Sequence, residues 1–209
     1  SHSIHLKPLA EDALSLPVRT GKARVIGIEP ASLVTKSLVR EVKTDDAGCF
    51  QSALNPGLTK IAVIERHKRT GKLGIGILEG YGLTGGAIAT TISHDSHNIV
   101  VAGDNDPDML LAVRELADMG GGIVSVHGGA IRRLPLPIAG LMTSADPQEV
   151  NAVLHDMLVA ARAELGIPED VEPFMTLSFM ALPVIPELKL TARGLFNVNT
   201  FSFVGVEAD

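Results

Sequence analysis

Two spacings of hydrophobic residues divide this chain. Period-two and continuous apolar runs come first. Ala23–Glu29 (ARVIGIE) alternates apolar and polar positions, opened by Gly21-Lys22 and stopped by Pro30, and predicts a strand. Leu33–Lys43, rich in Val and Thr, predicts a second extended segment that ends at the turn Asp45-Asp46-Ala47-Gly48. Ile61–Arg66 and Leu73–Leu78 flank Arg69-Thr70-Gly71-Lys72 and read as a hairpin. Gly74 and Gly76 alternate with Leu73, Ile75 and Ile77, so one face of that strand lacks side chains and admits another backbone or a ligand. Ala87–Ile92 and Ile99–Ala102 are apolar without alternation, as buried strands are. Ile123–Val126, Leu188–Thr191 and Phe201–Val204 predict shorter strands, and Pro8 pushes Lys7 towards extended geometry at a strand end near residues 3–9.

Helical spacing appears twice. Met109, Leu110, Val113, Leu116 and Ala117 form a stripe after Asp106-Pro107, with Asp106 as the expected cap and Gly120-Gly121-Gly122 as the stop. Val150, Val153, Leu154, Met157, Leu158 and Ala161 form another after Asp146-Pro147, ending before Gly166 and Pro168. The prolines in Leu134–Leu141 bar that apolar run from a regular central strand, and Phe174–Leu182 is apolar until Pro183 and Pro186 break it. The order of strands and Asp-Pro helices hints at a doubled unit. The expected fold class is α+β, a mixed or mainly antiparallel sheet covered by two long helices. No stretch is poor enough in apolar residues to split the core; residues 1–20 read as a lead-in and 21–209 as the domain.

Composition narrows the function. Of 209 residues, 45% are hydrophobic, but there are only six Phe, one Tyr and no Trp, so the core is aliphatic. The net charge of −6 and the shortness of Arg66-His67-Lys68-Arg69 and Arg132-Arg133, both read as solvated turns, argue against nucleic acid. The single Cys49 cannot form an internal disulfide and fits a reducing cytoplasm. No apolar run reaches the roughly 18 residues of a membrane span, and no secretory signal is recognisable. Ser1-His2-Ser3 is either a remnant of preparation or the cut edge of a longer chain.

Chemistry concentrates between the two buried strands. Ser93, His94, Asp95, Ser96, His97 and Asn98 place six hydrogen-bonding side chains on one short connection, a braced loop suited to presenting polar groups. His94, Asp95 and His97 have spacings that could converge on a metal, but no third well-placed ligand is visible. On spacing alone the balance favours a turn in which Asp95 and Asn98 bond nearby backbone and the imidazoles pack at the rim. His67, His127 and His155 read as solvated or half-buried, and Glu65, Glu79 and Asp104 as solvated strand ends. No nucleophile elbow or phosphate loop occurs, and the glycines at 120–122 follow a helix instead of opening one.

The stretch Ile92–Val101 (ISHDSHNIVV) resembles a signature of the carboxy-terminal domain of bacterial adenine deaminase. So do Asn105–Met109, Met119–Gly122, Leu134–Met142 and Pro173–Thr191, in order and spacing over about residues 20–200. The resemblance implies an amidohydrolase-superfamily enzyme that turns adenine into hypoxanthine and ammonia. Its manganese or iron would sit in a (β/α)8 barrel that precedes residue 1, so no cofactor is expected in this chain, which alone is expected to be inactive. The implied partners are adenine and the chain's own amino-terminal barrel, in a homo-oligomer. Catalytic residues are expected in that barrel. His94, Asp95 and His97, then Ser93, Ser96 and Asn98, are the candidates for closing the substrate pocket. The rival reading is a structural or dimerisation module that braces the barrel, with Leu134–Leu141 and Phe174–Leu182 in interfaces. A free-standing metal hydrolase built on His94, Asp95 and His97 is the weakest of the three.

Overall fold

The computed structural model describes residues 3–209. Eight strands form one sheet: β1 (Lys22–Ile28), β2 (Thr35–Glu41), β3 (Leu58–Ile64), β4 (Leu73–Glu79), β5 (Gly86–Thr90), β6 (Ile99–Gly103), β7 (Gly122–His127) and β8 (Ala130–Pro135). Their order is β2-β1-β4-β3-β6-β5-β7-β8, and every neighbouring pair is antiparallel except β1 with β4. A second sheet, β11-β10-β9, comprises β9 (Leu188–Thr191), β10 (Gly194–Asn197) and β11 (Ser202–Phe203). The helices are α1 (Asp106–Asp118), α2 (Pro147–Ala163) and the short α3 (Pro173–Phe179).

The absence of alternation in the central strands has a plain cause: both faces of the large sheet are covered. Along β6, Ile99 and Val101 pack with Met109, Val113 and Leu116 of α1, whereas Val100 and Ala102 pack with Met157 and Ala161 of α2 and Phe174 and Leu177 of α3. The mixed α+β architecture is therefore as expected, but the cover is not two long helices. The molecule is dominated by its sheets, and α3 shares the second face with α2 and the small sheet. The run Phe174–Leu182 is too uniformly apolar to display a stripe, so its helix is set by the ends: Pro173 at the first position and the Glu172 carboxylate capping Met175 N–H. The hint of a doubled unit also fails, because α2 is followed by α3 and not by a strand.

Three further expectations change. Arg132 and Arg133 lie on the edge strand β8, not in a solvated turn. Arg132 pairs with Glu164 just past α2 (2.6 Å), and Arg133 reaches across the other face to Glu115 of α1 (2.6 Å). No strand forms at residues 3–9; His5 instead exchanges backbone hydrogen bonds with Arg66 and Arg69. The lead-in nevertheless packs inward, with Leu14, Leu16 and Val18 in the core.

The cap of α1 is Asn105, whose side chain accepts from Asp108 N–H at 2.9 Å. Asp106 instead holds the buried Lys60 ammonium at 2.6 Å, aided by the carbonyl of Leu14 at 2.9 Å. Asn105→Ala is expected to destabilise the fold by about 1 kcal/mol, read as a lower urea midpoint with an unchanged slope.

Candidate functional site

The connection from β5 to β6 turns at the surface, braced from beneath. Thr91 directly follows β5. Its hydroxyl donates to Gly140 O (2.5 Å) and accepts from Gly122 N–H (2.8 Å), tying the connection to β7 and to the 138–142 loop. That loop comes close because Gly121 has no side chain: a Cβ there would stand 2.6 Å from Gly140 Cα. Within the bend, His97 N–H donates to Ser93 O (2.7 Å), and His94 N–H donates to Ser178 O at the end of α3 (2.9 Å). Asp95 and Ser96 are exposed, His94, His97 and Asn98 are half-buried, and Ser93 is fully enclosed.

The six candidates are thus brought together on one bend, but not as the spacing suggested. The His94 ring lies against Phe179, centroids 4.5 Å apart, and 6.4 Å from the His97 ring. Asp95 faces solvent and makes no turn bond, while Asn98 uses its backbone N–H towards Ser96 Oγ (3.4 Å). Ser93 Oγ, His97 Nδ1 and Asn98 Oδ1 are buried and have no hydrogen-bond partner among the described residues. A buried polar atom left unpaired costs roughly 1–3 kcal/mol, so the bend carries an unmet demand for hydrogen bonds. Among the described residues, no three His, Cys, Asp or Glu side chains gather in a way that could hold a metal ion.

One residue that organises the bend escaped the sequence reading. Arg66, taken as part of a solvated turn, is only 2% exposed. Its guanidinium donates to His97 O, to Ala139 O (2.9 Å) and to Ser3 O (3.0 Å), so one side chain joins the bend, the 138–142 loop and the first described residue. No carboxylate among the described residues pairs with it, and burial pushes its pKa below the ordinary value. Burial first, then the nearby Arg66 and His94 charges, lowers the His97 pKa against the opposing pull of Asp95, which favours the neutral imidazole. The signal for Arg66 was weak: it is separated from the buried β3 by one residue, Glu65, and sits among residues that are all charged or polar.

The other titratable candidates serve local structure. Glu79 pairs with Arg40 (2.7 Å), and Asp104 accepts from Gly85 and Gly86 N–H (2.5 and 3.1 Å). His155 is exposed; the half-buried His127 meets Gly85 O (2.8 Å) and the exposed His67 meets Ser96 O (2.8 Å). Glu65 closes the hairpin turn beside Arg66. Burial raises its pKa, but bonds from the Thr70 N–H and hydroxyl and from the His67 and Lys68 N–H groups outweigh it and hold the carboxyl at about 2. A depressed folded-state pKa contributes stability above the unfolded value near 4.5, and that contribution is lost as pH falls towards 2. Glu65→Gln should therefore lower the melting temperature at pH 7, with the gap to wild type closing as pH is lowered through that window.

The family described as "Adenine deaminase C-terminal domain" matches residues 32–202. An adenine deaminase of Nitratidesulfovibrio vulgaris is 58% identical over 205 residues, covering 98% of this chain and 35% of that protein. "Adenine deaminase 2" of Carboxydothermus hydrogenoformans is 47% identical over 206 residues, covering 98% and 36%. The adenine deaminase of Clostridium acetobutylicum is 44% identical over 205 residues, with the same coverage. The chain therefore spans little more than a third of the length of the curated relatives it matches.

Proposed function

The chain belongs to the adenine deaminase C-terminal domain family, and from that premise we propose that it is the carboxy-terminal part of an enzyme that hydrolyses adenine to hypoxanthine and ammonia. In this reading the Ser93–Asn98 bend completes the substrate pocket, and the metal and catalytic residues belong to a preceding domain in the cytoplasm. The observation that carries it is the bend itself: six polar side chains on one short connection, held by Thr91 and the buried Arg66, with Asp95 and Ser96 open to solvent.

The described residues do not gather a ligand set for a manganese or iron centre, and activation of the attacking water is not assigned to them. Their part is recognition. An adenine ring offers acceptor nitrogens and an exocyclic amine donor. The exposed Asp95 and Ser96 and the half-buried His94, His97 and Asn98 supply the complementary donors and acceptors, and a neutral His97 can take either role.

His94→Ala and His97→Ala in the full-length protein are each expected to raise KM for adenine or lower kcat by about tenfold, the worth of one net hydrogen bond to a buried partner. Wild-type values of both constants in both variants would make the bend structural only.

A second reading is favoured by the exposed Ile138, Met142 and Val184, which lie on the loop tied to the bend and on the segment that follows α3. Here the domain braces the barrel and supports a dimer without touching substrate. Sizing with and without adenine distinguishes it: a dimer indifferent to adenine fits the brace.

A further inference from the structure

The chain is poor in aromatic residues, yet three of its six Phe side chains stand together on the small sheet. Phe201 and Phe203 both meet the buried Phe196 edge-on, at 5.3 and 5.1 Å between centroids. Phe201 is 77% exposed and Phe203 43%, and Arg193 lies over the Phe203 ring at 4.8 Å. Phe201 also has φ of 52°, a left-handed conformation that a bulky residue adopts at a cost, so its outward ring is held there by the fold. These rings border a cleft of about 620 Å³ rimmed by Glu65, Lys72 and Arg193, and the cleft runs to Pro183 and to Asn98 of the bend.

We propose that this aromatic face is where the amino-terminal remainder of the same polypeptide seats. Three features select that occupant. The matching segment is 35–36% of the relatives' length and its family is described as a C-terminal domain, so in those relatives most of the polypeptide lies ahead of it. The segment ahead of β1 runs past this face: Ser3 is fastened to Arg66, His5 pairs with the backbone of Arg66 and Arg69, and Glu65 and Lys72 of that hairpin rim the cleft. The chemistry is that of a side-chain interface, apolar rings at the centre with charges of both signs at the margin. The edge strand β11 is only two residues long, so strand addition has little backbone to use. The inference rests on the proposed reading only for the existence of a preceding domain, not for any role of the bend in catalysis.

The test is hydroxyl-radical footprinting of the full-length protein, with the buried Phe50 and Phe174 as internal standards. The expected result is oxidation of Phe201 and Phe203 as slow as that of Phe50, unchanged on dilution. In the Phe201→Ser/Phe203→Ser double variant, Phe196 should become oxidised faster while Phe50 does not. Rapid oxidation of Phe201 and Phe203 in the wild-type protein overturns the proposal. Protection that fades on dilution overturns it in favour of a second copy, and protection that appears only with adenine overturns it in favour of a small ligand. Because the footprint does not depend on the kinetics of the His94 and His97 variants, this proposal and the bend's role in substrate binding fail separately.

Discussion

Arg66→Met is expected to destabilise the protein by about 2–4 kcal/mol, the largest effect of any single substitution near the bend. The guanidinium is buried and its partners are neutral: the carbonyls of Ser3, His97 and Ala139 and the hydroxyl of Ser3. Met roughly fills the volume and removes a costly buried charge, which by itself is a gain. The carbonyls remain, however, and each loses a charge-assisted donor that no neighbouring side chain replaces. The loss should exceed the gain because three segments are released at once. Arg66→Lys keeps the charge, but a single ammonium lacks the planar fork that reaches three directions, so an intermediate loss is expected. Urea unfolding gives the ranking, and hydrogen exchange locates it: the His97 N–H, bonded to Ser93 O, should exchange faster in Arg66→Met while amides of β6 change little. A Met variant as stable as wild type would mean that the bend holds its shape without the guanidinium.

How far the sequence was legible follows from what each element had to reveal. Strands buried on both faces, such as β5 and β6, show as apolar runs, and α1 and α2 show as stripes, because burial dictates each side chain. Strand β8 was missed because its solvent-edge position lets Arg132 and Arg133 occupy successive places, one satisfied by Glu164 just past α2 and the other by Glu115 of α1. Strand β10 offers only the adjacent Leu195 and Phe196 between Gly194 and Asn197, whereas the equally short β9 alternates Leu188 and Leu190 with Lys189 and Thr191. At the site, the six candidates were legible because polar residues between two buried strands are conspicuous. Arg66 was not, because its partners are backbone carbonyls of residues 3, 97 and 139, and backbone acceptors leave no trace in side-chain identity. The Asn105 cap was displaced by one position because Asp106 has a buried lysine to neutralise.

Gly74 and Gly76 make the sharpest pair for a second measurement, since the sequence presents them as equivalent and the structure does not. Both lie on β4 and face the small sheet. A Cβ on Gly74 would run into the carbonyl oxygen of Thr191 and stand 3.0 Å from Gly194 N, backbone atoms of the β9–β10 hairpin. That hairpin cannot retreat cheaply, because Leu188 and Leu190 are fully buried and Leu190 N–H is bonded to Met180 O at 2.9 Å. A Cβ on Gly76 would lie 3.5 Å from Ile61 Cγ2 and 3.6 Å from Leu190 Cδ1, ordinary contacts between side chains. Gly74→Ala is therefore expected to cost about 2–3 kcal/mol through backbone displacement. Gly76→Ala should stay within about 1 kcal/mol of wild type, since the methyl fits and the unfolded chain loses freedom. Equilibrium urea unfolding of both variants decides it, and equal midpoints would refute the close backbone approach at Gly74. If the difference is found, Gly74→Ala should also speed oxidation of Phe196 in the footprint, because the displaced hairpin carries the ring on which Phe201 and Phe203 rest.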